Sequence, residues 1–426
     1  MVNRRAVLSW ALYDWGNSAF ATTVMAGFFP LFFKQYWSAG ADPTHSTLKL
    51  GVANSLASVC VAAAAPLLGA IADRYSLKKR LLLLFAMLGI VMTGAMHFVA
   101  QGEWVVAVAL YVAATVGFSG SIVFYDALLV SVAKPRESDR VSALGYAMGY
   151  LGGGTLFAIN VAMTLKHDMF GLADKAAAIR VSFLMVAIWW AAASIPLMLF
   201  VDEPAPGLDE EAKRGISLRS RLLEAFAELA HTLGEIRKRR NVWIFLAAYW
   251  LYIDGVDTII RMAVDYGKSL GFSTDALITA LLITQFVGFP AALLYGRLGP
   301  WIGTKNAILV GVATYVGVTI WGYQMTAEWE FYALAIAVGL VQGGVQSLSR
   351  ALYSRLIPPD KAAEFFGFYN MLGKFAAVVG PTLMGWVGVV TGSPRTGILS
   401  IAILLVAGGV LLMRVDDRLE PHDARV

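Results

Sequence analysis

Twelve apolar runs, each about long enough to cross a bilayer, constrain this chain more than anything else in its sequence. A hydrocarbon core about 30 Å thick takes roughly 20 residues of helix. Runs of that length fall at 9–33, 51–73, 80–100, 104–133, 140–165, 178–201, 242–265, 275–298, 305–325, 329–356, 363–389 and 395–414. Of the 426 residues, 58% are hydrophobic and only 15% charged, where soluble domains carry about a quarter. A water-soluble fold of this size has too much surface for its volume to hide so much apolar area. The bilayer must therefore be the solvent for most of the chain, and the net charge of +5 is not a nucleic-acid signal. The single cysteine, Cys60, lies in an apolar run and closes no intramolecular disulfide. Arg4 and Arg5 precede the first run as in a signal peptide. The pattern resumes beyond Asp14, however, so a retained first span is expected.

The spans divide six and six around one long polar segment, 202–240, which holds Pro204, Pro206 and many charges. Its second part, 217–240, reads as a basic amphipathic helix on the membrane surface. The expected fold is an all-α membrane protein of twelve transmembrane helices in two pseudo-symmetric six-helix bundles. Residues 1–201 form the first bundle, 202–240 a cytoplasmic linker and 241–426 the second bundle. With both termini in the cytoplasm, 24 of the 34 basic residues lie on the cytoplasmic side. Lys34, Lys49, Lys166, Lys175, Arg180, Lys268 and Arg395 lie outside, and Arg261, Arg350 and Lys374 lie within spans. This asymmetry follows the positive-inside rule.

The halves repeat weakly. Trp10-x-x-x-Asp14-x-x-Asn17-Ser18 in span 1 has a counterpart, Trp250-x-x-x-Asp254-x-x-Asp257-Thr258, in span 7. Gly69-Ala-Ile-Ala-Asp73-Arg74, followed by Lys78, Lys79 and Arg80, is echoed by Gly296-Arg-Leu-Gly299-Pro300 with Gly303 and Lys305. The second copy has lost its acid to Pro300. Repeated halves of this kind are a mark of secondary transporters, whose substrate site lies at the repeat interface.

The segment Gly69 to Arg80 resembles the cytoplasmic signature loop of the major facilitator superfamily, with Ser76 where glycine is usual. Further segments resemble the autophagy-related vacuolar effluxer branch and its bacterial members. They are Tyr13-Asp-Trp-Gly-Asn-Ser-Ala19, Gly149-Tyr-Leu-Gly-Gly153, Val341-Gln-Gly-Gly-Val-Gln-Ser-Leu-Ser-Arg350 and Glu364-Phe-Phe-Gly-Phe-Tyr-Asn-Met-Leu-Gly-Lys374. The resemblance implies a twelve-helix transporter in which Gly69, Asp73, Arg74 and Lys78 latch the halves at the cytoplasmic gate. It also implies that spans 1, 4, 7 and 10 line the cavity. Eukaryotic members are associated with amino-acid efflux from the vacuole. Asp126 and Arg261 are more charge than the resemblance leads one to expect at those positions.

An ionised group at mid-bilayer costs about 2.5–3.5 kcal/mol even on the lenient insertion scale. It needs a partner, a wet cavity or a neutral state. Asp14, Asp126, Asp254, Asp257, Arg261, Arg350 and Lys374 are such groups, and with Asn17, Tyr125, Gln342 and Gln346 they form the candidate substrate and proton pathway. Asp257 and Arg261, four apart, are placed to neutralise each other, which leaves Asp254 without a partner in its own helix. Asp14 suits either a helix N-terminus or the pathway, and Lys374 either snorkels or pairs with an acid. Asp126 is a proton carrier or the partner of Arg350. Arg350 in turn is a carboxylate clamp or half of a gate ion pair. Gln342, Gln346, Ser349, Arg350 and Tyr353 share one face of span 10, which should look into the cavity. Glycines 145, 149, 152, 153 and 154 in span 5 read as close packing or, by resemblance, as the glycine motif of antiporters in this superfamily with Tyr150 where proline is usual, and Gly380-Pro381 reads as a packing or hinge site. Tyr13, Phe20, Tyr125, Tyr249 and Tyr252 are expected near the cavity. Trp10, Trp15, Trp37, Trp104, Trp301 and Trp329 are expected in the interfacial belts.

Nothing has metal-ligand spacing and no phosphate loop is present, so no catalytic, metal or cofactor site is expected. The leading function is secondary active transport by alternating access, as proton-coupled export of a small amphipathic or zwitterionic metabolite such as an amino acid. Sodium is the alternative coupling ion. A lipid-like amphiphile is the alternative cargo, and a non-cycling receptor the alternative role. The expected partners are the substrate, protons and the lipid bilayer, for a monomeric, multi-pass protein of the inner or plasma membrane. A reporter placed in 202–240 is expected on the cytoplasmic side, and labelling by an impermeant reagent added outside the cell would refute that orientation.

Overall fold

Each apolar run becomes a helix. The computed structural model describes residues 3–38, 43–203, 232 and 234–416, so most of the surface helix expected over 217–240 lies outside the described residues. Helix α1 is a rod running through Arg4–Ala19, Phe20–Phe28, Phe29–Phe32 and Phe33–Trp37. The remaining long helices are α2 (Pro43–Tyr75), α3 (Lys78–Ala95), α4 (Trp104–Ala127), α5 (Ser138–Leu165) and α6 (Lys175–Phe200) in the first half. The second half holds α7 (Arg240–Ser269), α8 (Thr274–Ile302), α9 (Thr304–Gln324), α10 (Glu328–Leu356), α11 (Ala362–Thr391) and α12 (Pro394–Met413). No strand occurs among the described residues.

Eleven helices among the described residues are long and apolar enough to span a membrane. The twelfth span is α1, whose α-helical turns give way to π-helical ones at Phe20–Phe28 and Phe33–Trp37. Such widened turns are found mostly as short insertions within α-helices. The outer faces are apolar: Leu84, Ile188, Leu199, Leu294 and Ile403 are each more than 60% exposed, as expected where lipid is the solvent. Trp301 and Trp329 are exposed near helix ends, in keeping with a belt position. Trp10 and Trp37 are not belt residues, being 0% exposed. Trp37 packs on Phe29, Phe32 and Phe183, with its ring N–H directed at the Val99 carbonyl at 3.4 Å. Position along the chain put these rings near helix ends, but packing turned them inward.

An even number of spans leaves both termini on one face, and there the halves are bolted together. Helix α2 packs on α11, and α5 packs on α8 and α10. The first contact is tight because Gly69 lacks a side chain: a Cβ there would lie 2.3 Å from the Ala363 carbonyl oxygen. At this crossing Asp73 ends α2 and accepts the Glu364 backbone N–H at 2.8 Å, in the first turn of α11. Lys78 Nζ holds its other oxygen at 2.7 Å. A carboxylate at a helix N-terminus meets both unpaired N–H groups and the positive end of the dipole. Ser76, where glycine is usual, adopts φ 47°, a left-handed conformation that costs an L-residue about 1 kcal/mol. Glu203, after α6, holds the turn by accepting the Lys78 and Lys79 backbone N–H groups at 2.7 and 3.1 Å. Arg74 is exposed at the same corner.

The weak repeat explains a second bolt. Where the loop between α8 and α9 lost its acid to Pro300, the facing helix α5 supplies one. Asp139 accepts from Thr304 Oγ1 at 2.6 Å and from Arg355 Nη1 at 2.7 Å. Neither Asp139 nor Arg355 stood out in the sequence, because both sit in charged loop-edge stretches.

Asp73 lies at this sealed end, away from the middle of the spans. Asp73→Asn should therefore slow conformational cycling in transport assays more than it weakens substrate affinity. A loss of affinity at normal turnover would contradict the latch.

Candidate functional site

Above the bolts lies a layer of buried charge. Arg350, on α10, is 2% exposed although it is among the largest side chains in the protein. Its Nη1 donates to Asp126 Oδ1 on α4 at 2.9 Å, its Nε to Ser142 Oγ on α5 at 2.8 Å, and its Nη2 to the Ser142 carbonyl at 3.0 Å. The guanidinium also lies over the rings of Trp10, Tyr125 and Tyr146, at 4.9, 5.3 and 4.5 Å from their centres. Asp126 spends its second oxygen on Asn370 Nδ2 of α11 at 3.1 Å. One ion pair thus joins α4 and α5 of the first half to α10 and α11 of the second. Of the two readings open for Arg350, the geometry matches the inter-half ion pair.

Asp14 belongs to the adjoining layer. It accepts from the Tyr125 hydroxyl at 3.2 Å and from Ser18 Oγ at 3.3 Å. Tyr125 stacks on Trp10 with centroids 4.4 Å apart, and the Trp10 ring N–H donates to the Tyr125 carbonyl at 3.0 Å. Gly152 lets α5 press this close to α1, since a Cβ there would fall 2.1 Å from the Trp15 carbonyl oxygen. Asn17 is 1% exposed, with its side-chain amide beside the Tyr13 hydroxyl.

Asp254 is not partnerless. It accepts the Gly380 backbone N–H at 2.8 Å and, more weakly, Thr258 Oγ1 at 3.4 Å. The Gly380-Pro381 step therefore docks α11 onto α7, and only glycine fits: a Cβ would stand 2.0 Å from Thr258 Oγ1 and 2.5 Å from the carboxylate. The expected self-neutralising pair does not form either. Among the described residues no ion pair within 4 Å joins Asp257 to Arg261 or Lys374. Lys374 and Arg261 still lie near enough to act on Asp257 electrostatically, and Asp126 acts on Lys374. Asp257 and Lys374 are half-buried, Arg261 is exposed, and Gln342 and Gln346 on α10 are half-buried. A carboxylate and two cations thus lie near mid-span within electrostatic reach of one another, with no ion pair closer than 4 Å among them.

The aromatic residues expected near the cavity are buried in the packing between helices instead. Tyr13, Phe20, Tyr125 and Tyr252 are 0% exposed and Tyr249 6%. Tyr249 stacks on Tyr369 at 4.0 Å, Tyr369 on Tyr353 at 5.1 Å, and the Tyr252 hydroxyl meets Ser349 Oγ at 2.6 Å. Asn370, Ser142 and Tyr146 escaped sequence reasoning. Short polar residues and tyrosines are common in spans, and only the position of the Arg350 guanidinium makes them notable. No group of three or more potential metal-ligating side chains occurs among the described residues.

Two six-helix halves around a central charged site describe a membrane transporter of the major facilitator type, and solved structures agree on the fold. The human organic anion transporter MFSD10 superposes with TM-score 0.74 at 15% identity, over 96% of this chain and 99% of that one. The proton:xylose symporter XylE superposes with TM-score 0.69 at 14% identity, over 96% and 94%. Residues 50–424 match the ATG22 family, described as "Vacuole effluxer Atg22 like", and the chain belongs to it. The MFS-type transporter YxiO of Bacillus subtilis (strain 168) is 36% identical over 412 residues, 96% of this chain and 94% of that protein. Autophagy-related protein 22 of Gibberella zeae is 27% identical over 299 residues, so that 66% of this chain matches only 44% of the fungal protein.

Because Arg350 and Asp126 are buried together, removing one partner strands the other charge. Arg350→Gln and Asp126→Asn should each destabilise the protein, by up to about 3–5 kcal/mol, and the double variant by clearly less than their sum. Thermal unfolding in detergent would measure this, and additive losses would show that the pair is not coupled.

Proposed function

We propose that the chain is a secondary active transporter that exports a small amphipathic or zwitterionic metabolite such as an amino acid, with protons as the coupling ion. The observation that carries this reading is the mid-span meeting of Asp257, Arg261 and Lys374, charges of both signs that no close ion pair satisfies. An anionic group on the substrate would meet Arg261 and Lys374, and a cationic group would meet Asp257. Charged groups held in a low-dielectric span interact strongly with a ligand that completes them, and are costly when left alone. Alternating access then amounts to rocking of one half against the other. The bolts at Asp73 and Asp139 and the Arg350–Asp126 pair open in one phase of the cycle and re-form in the other. With the termini in the cytoplasm, as the basic residues favour, the bolted end faces inward and efflux is the direction that the family description suggests.

Protons need a group that changes charge as its surroundings change. Asp126 can do so only when Arg350 leaves it, which ties its protonation to separation of the halves. Asp254 sits between α7 and α11 on hydrogen bonds that a neutral side chain can also accept. A lipid-like amphiphile is the second reading of the cargo, favoured by the apolar surface that adjoins the charged site.

Asp254→Asn keeps an oxygen for the Gly380 N–H and removes the charge. It should leave folding and expression intact and reduce transport of radiolabelled amino acid in proteoliposomes under an imposed pH gradient without sodium. Unchanged flux and pH response in the variant would remove Asp254 from the mechanism. Wild-type flux that follows sodium, or only the substrate gradient, would exclude proton coupling.

A further inference from the structure

The polar stripe of α10 changes character at Gln342. Toward the terminal face it runs Gln342, Gln346, Ser349, Arg350 and Tyr353. Toward the opposite face the same side of the helix continues at three- and four-residue spacing as Val338, Leu334 and Phe331. These apolar residues line a cavity inside the second half, enclosed by α7 to α10 and by α12. From α7 come Ile260 and Val264, on either side of Arg261 in sequence, so the helix that presents Asp257 and Arg261 also forms one wall of the cavity. The cavity's enclosed space is about 90 Å³, smaller than a site for a whole drug-sized ligand and sized for a short chain.

Among the described residues no charged side chain lines this cavity, and most of its polar groups are already occupied. Thr284 donates to the Ala280 and Ala335 carbonyls at 3.0 and 3.2 Å, and the Tyr266 hydroxyl to the Gly322 carbonyl at 2.7 Å. The exception is Gln342, at the junction of the two stripes. Its amide oxygen is buried with no hydrogen-bond partner among the described residues. Apolar walls gain dispersion contacts from a chain that fits between them, and a buried acceptor gains from a donor brought to it.

We infer that this cavity is a second subsite for the transported molecule, holding an alkyl or aryl chain whose carboxylate head lies at Arg261 and Lys374, with Gln342 accepting a donor from the ligand where one is present. The inference rests on the transport reading above and adds to it a selection by chain length. The cargo is then an amphipathic carboxylate of several carbons, and small polar ions are poor ligands.

The test uses the full-length protein in lipid nanodiscs. Thermal stabilisation is measured with n-alkanoates from acetate to decanoate and with their 2-amino derivatives, and empty discs correct for partitioning. In at least one series, apparent affinity should rise about fourfold per methylene and level off once the cavity is full. Val338→Phe and Val264→Phe, which fill it from two helices, should move that levelling to shorter chains. Arg261→Gln should weaken every member alike. Binding that ignores chain length, as expected if a bilayer lipid already fills the space, overturns the subsite but leaves the charged head site standing. A levelling point that neither phenylalanine variant shifts overturns it too. Absence of binding at every length in both series defeats the head site and the subsite together.

Discussion

A guanidinium buried at 2% exposure between two halves of a membrane protein has no water to fall back on. Everything around Arg350 is arranged to satisfy it. Asp126 neutralises it, Ser142 fills two of its donors, and three aromatic rings cover its faces. Those partners come from α1, α4 and α5, while Arg350 itself comes from α10. The halves therefore cannot separate at this level without exposing or discharging an ion pair. Charges of this kind are weak contributors to net stability, because desolvation offsets attraction. On the proposed alternating-access reading, their value lies in making one arrangement distinct from the other.

The bolts at the terminal face serve the same end by different means. Asp73 uses the first turn of α11 as its partner, whereas Asp139 uses an arginine and a threonine from α10 and α9. Pseudo-symmetry thus survives in the outcome and not in the residues. On one side the end of α2 carries the acid, Lys78 pairs with it and the facing helix supplies N–H groups. On the other the loop has lost its acid and the facing helix brings its own. Transfer of the acid between the halves keeps a carboxylate at each crossing and leaves the two crossings unequal in strength, since a charge-assisted arginine pair and a helix-terminus contact differ in energy and in dependence on water.

The charged middle and the bolted end place opposite demands on the side chains. At the end, the Asp73–Lys78 and Asp139–Arg355 pairs close at 2.7 Å and are shielded. In the middle, Asp257, Arg261 and Lys374 stay apart. The difference follows from backbone placement. Asp257 and Arg261 lie on adjacent turns of one rigid helix, and Lys374 lies on another that is fixed by the Gly380 contact with Asp254. On the proposed transport reading, charges held apart by the scaffold would be preorganised for a ligand that joins them.

The fold class, the family and most span boundaries were legible in the sequence, although α2 begins at Pro43, eight residues before the expected 51. They depend on hydrophobic length and local motifs, and the bilayer reads those directly. The seven intramembrane charges were legible for the same reason, since each is conspicuous against an apolar run. Their partners were not. A sequence shows that Asp257 and Arg261 share a helix face, but not that their side chains stay apart. Nor does it show that the carboxylate of Asp254 is met by a backbone N–H 126 residues away. Asn370, Ser142, Asp139 and Arg355 have ordinary surroundings in the chain and acquire their meaning only from what crosses them. Trp10 and Trp37 looked like belt residues by position and are core by packing. Helix formation is a local matter in lipid, where every backbone group must be satisfied within its own segment. Which face of each helix meets which neighbour is decided by shape and charge over the whole bundle, and that information exists only in the tertiary structure.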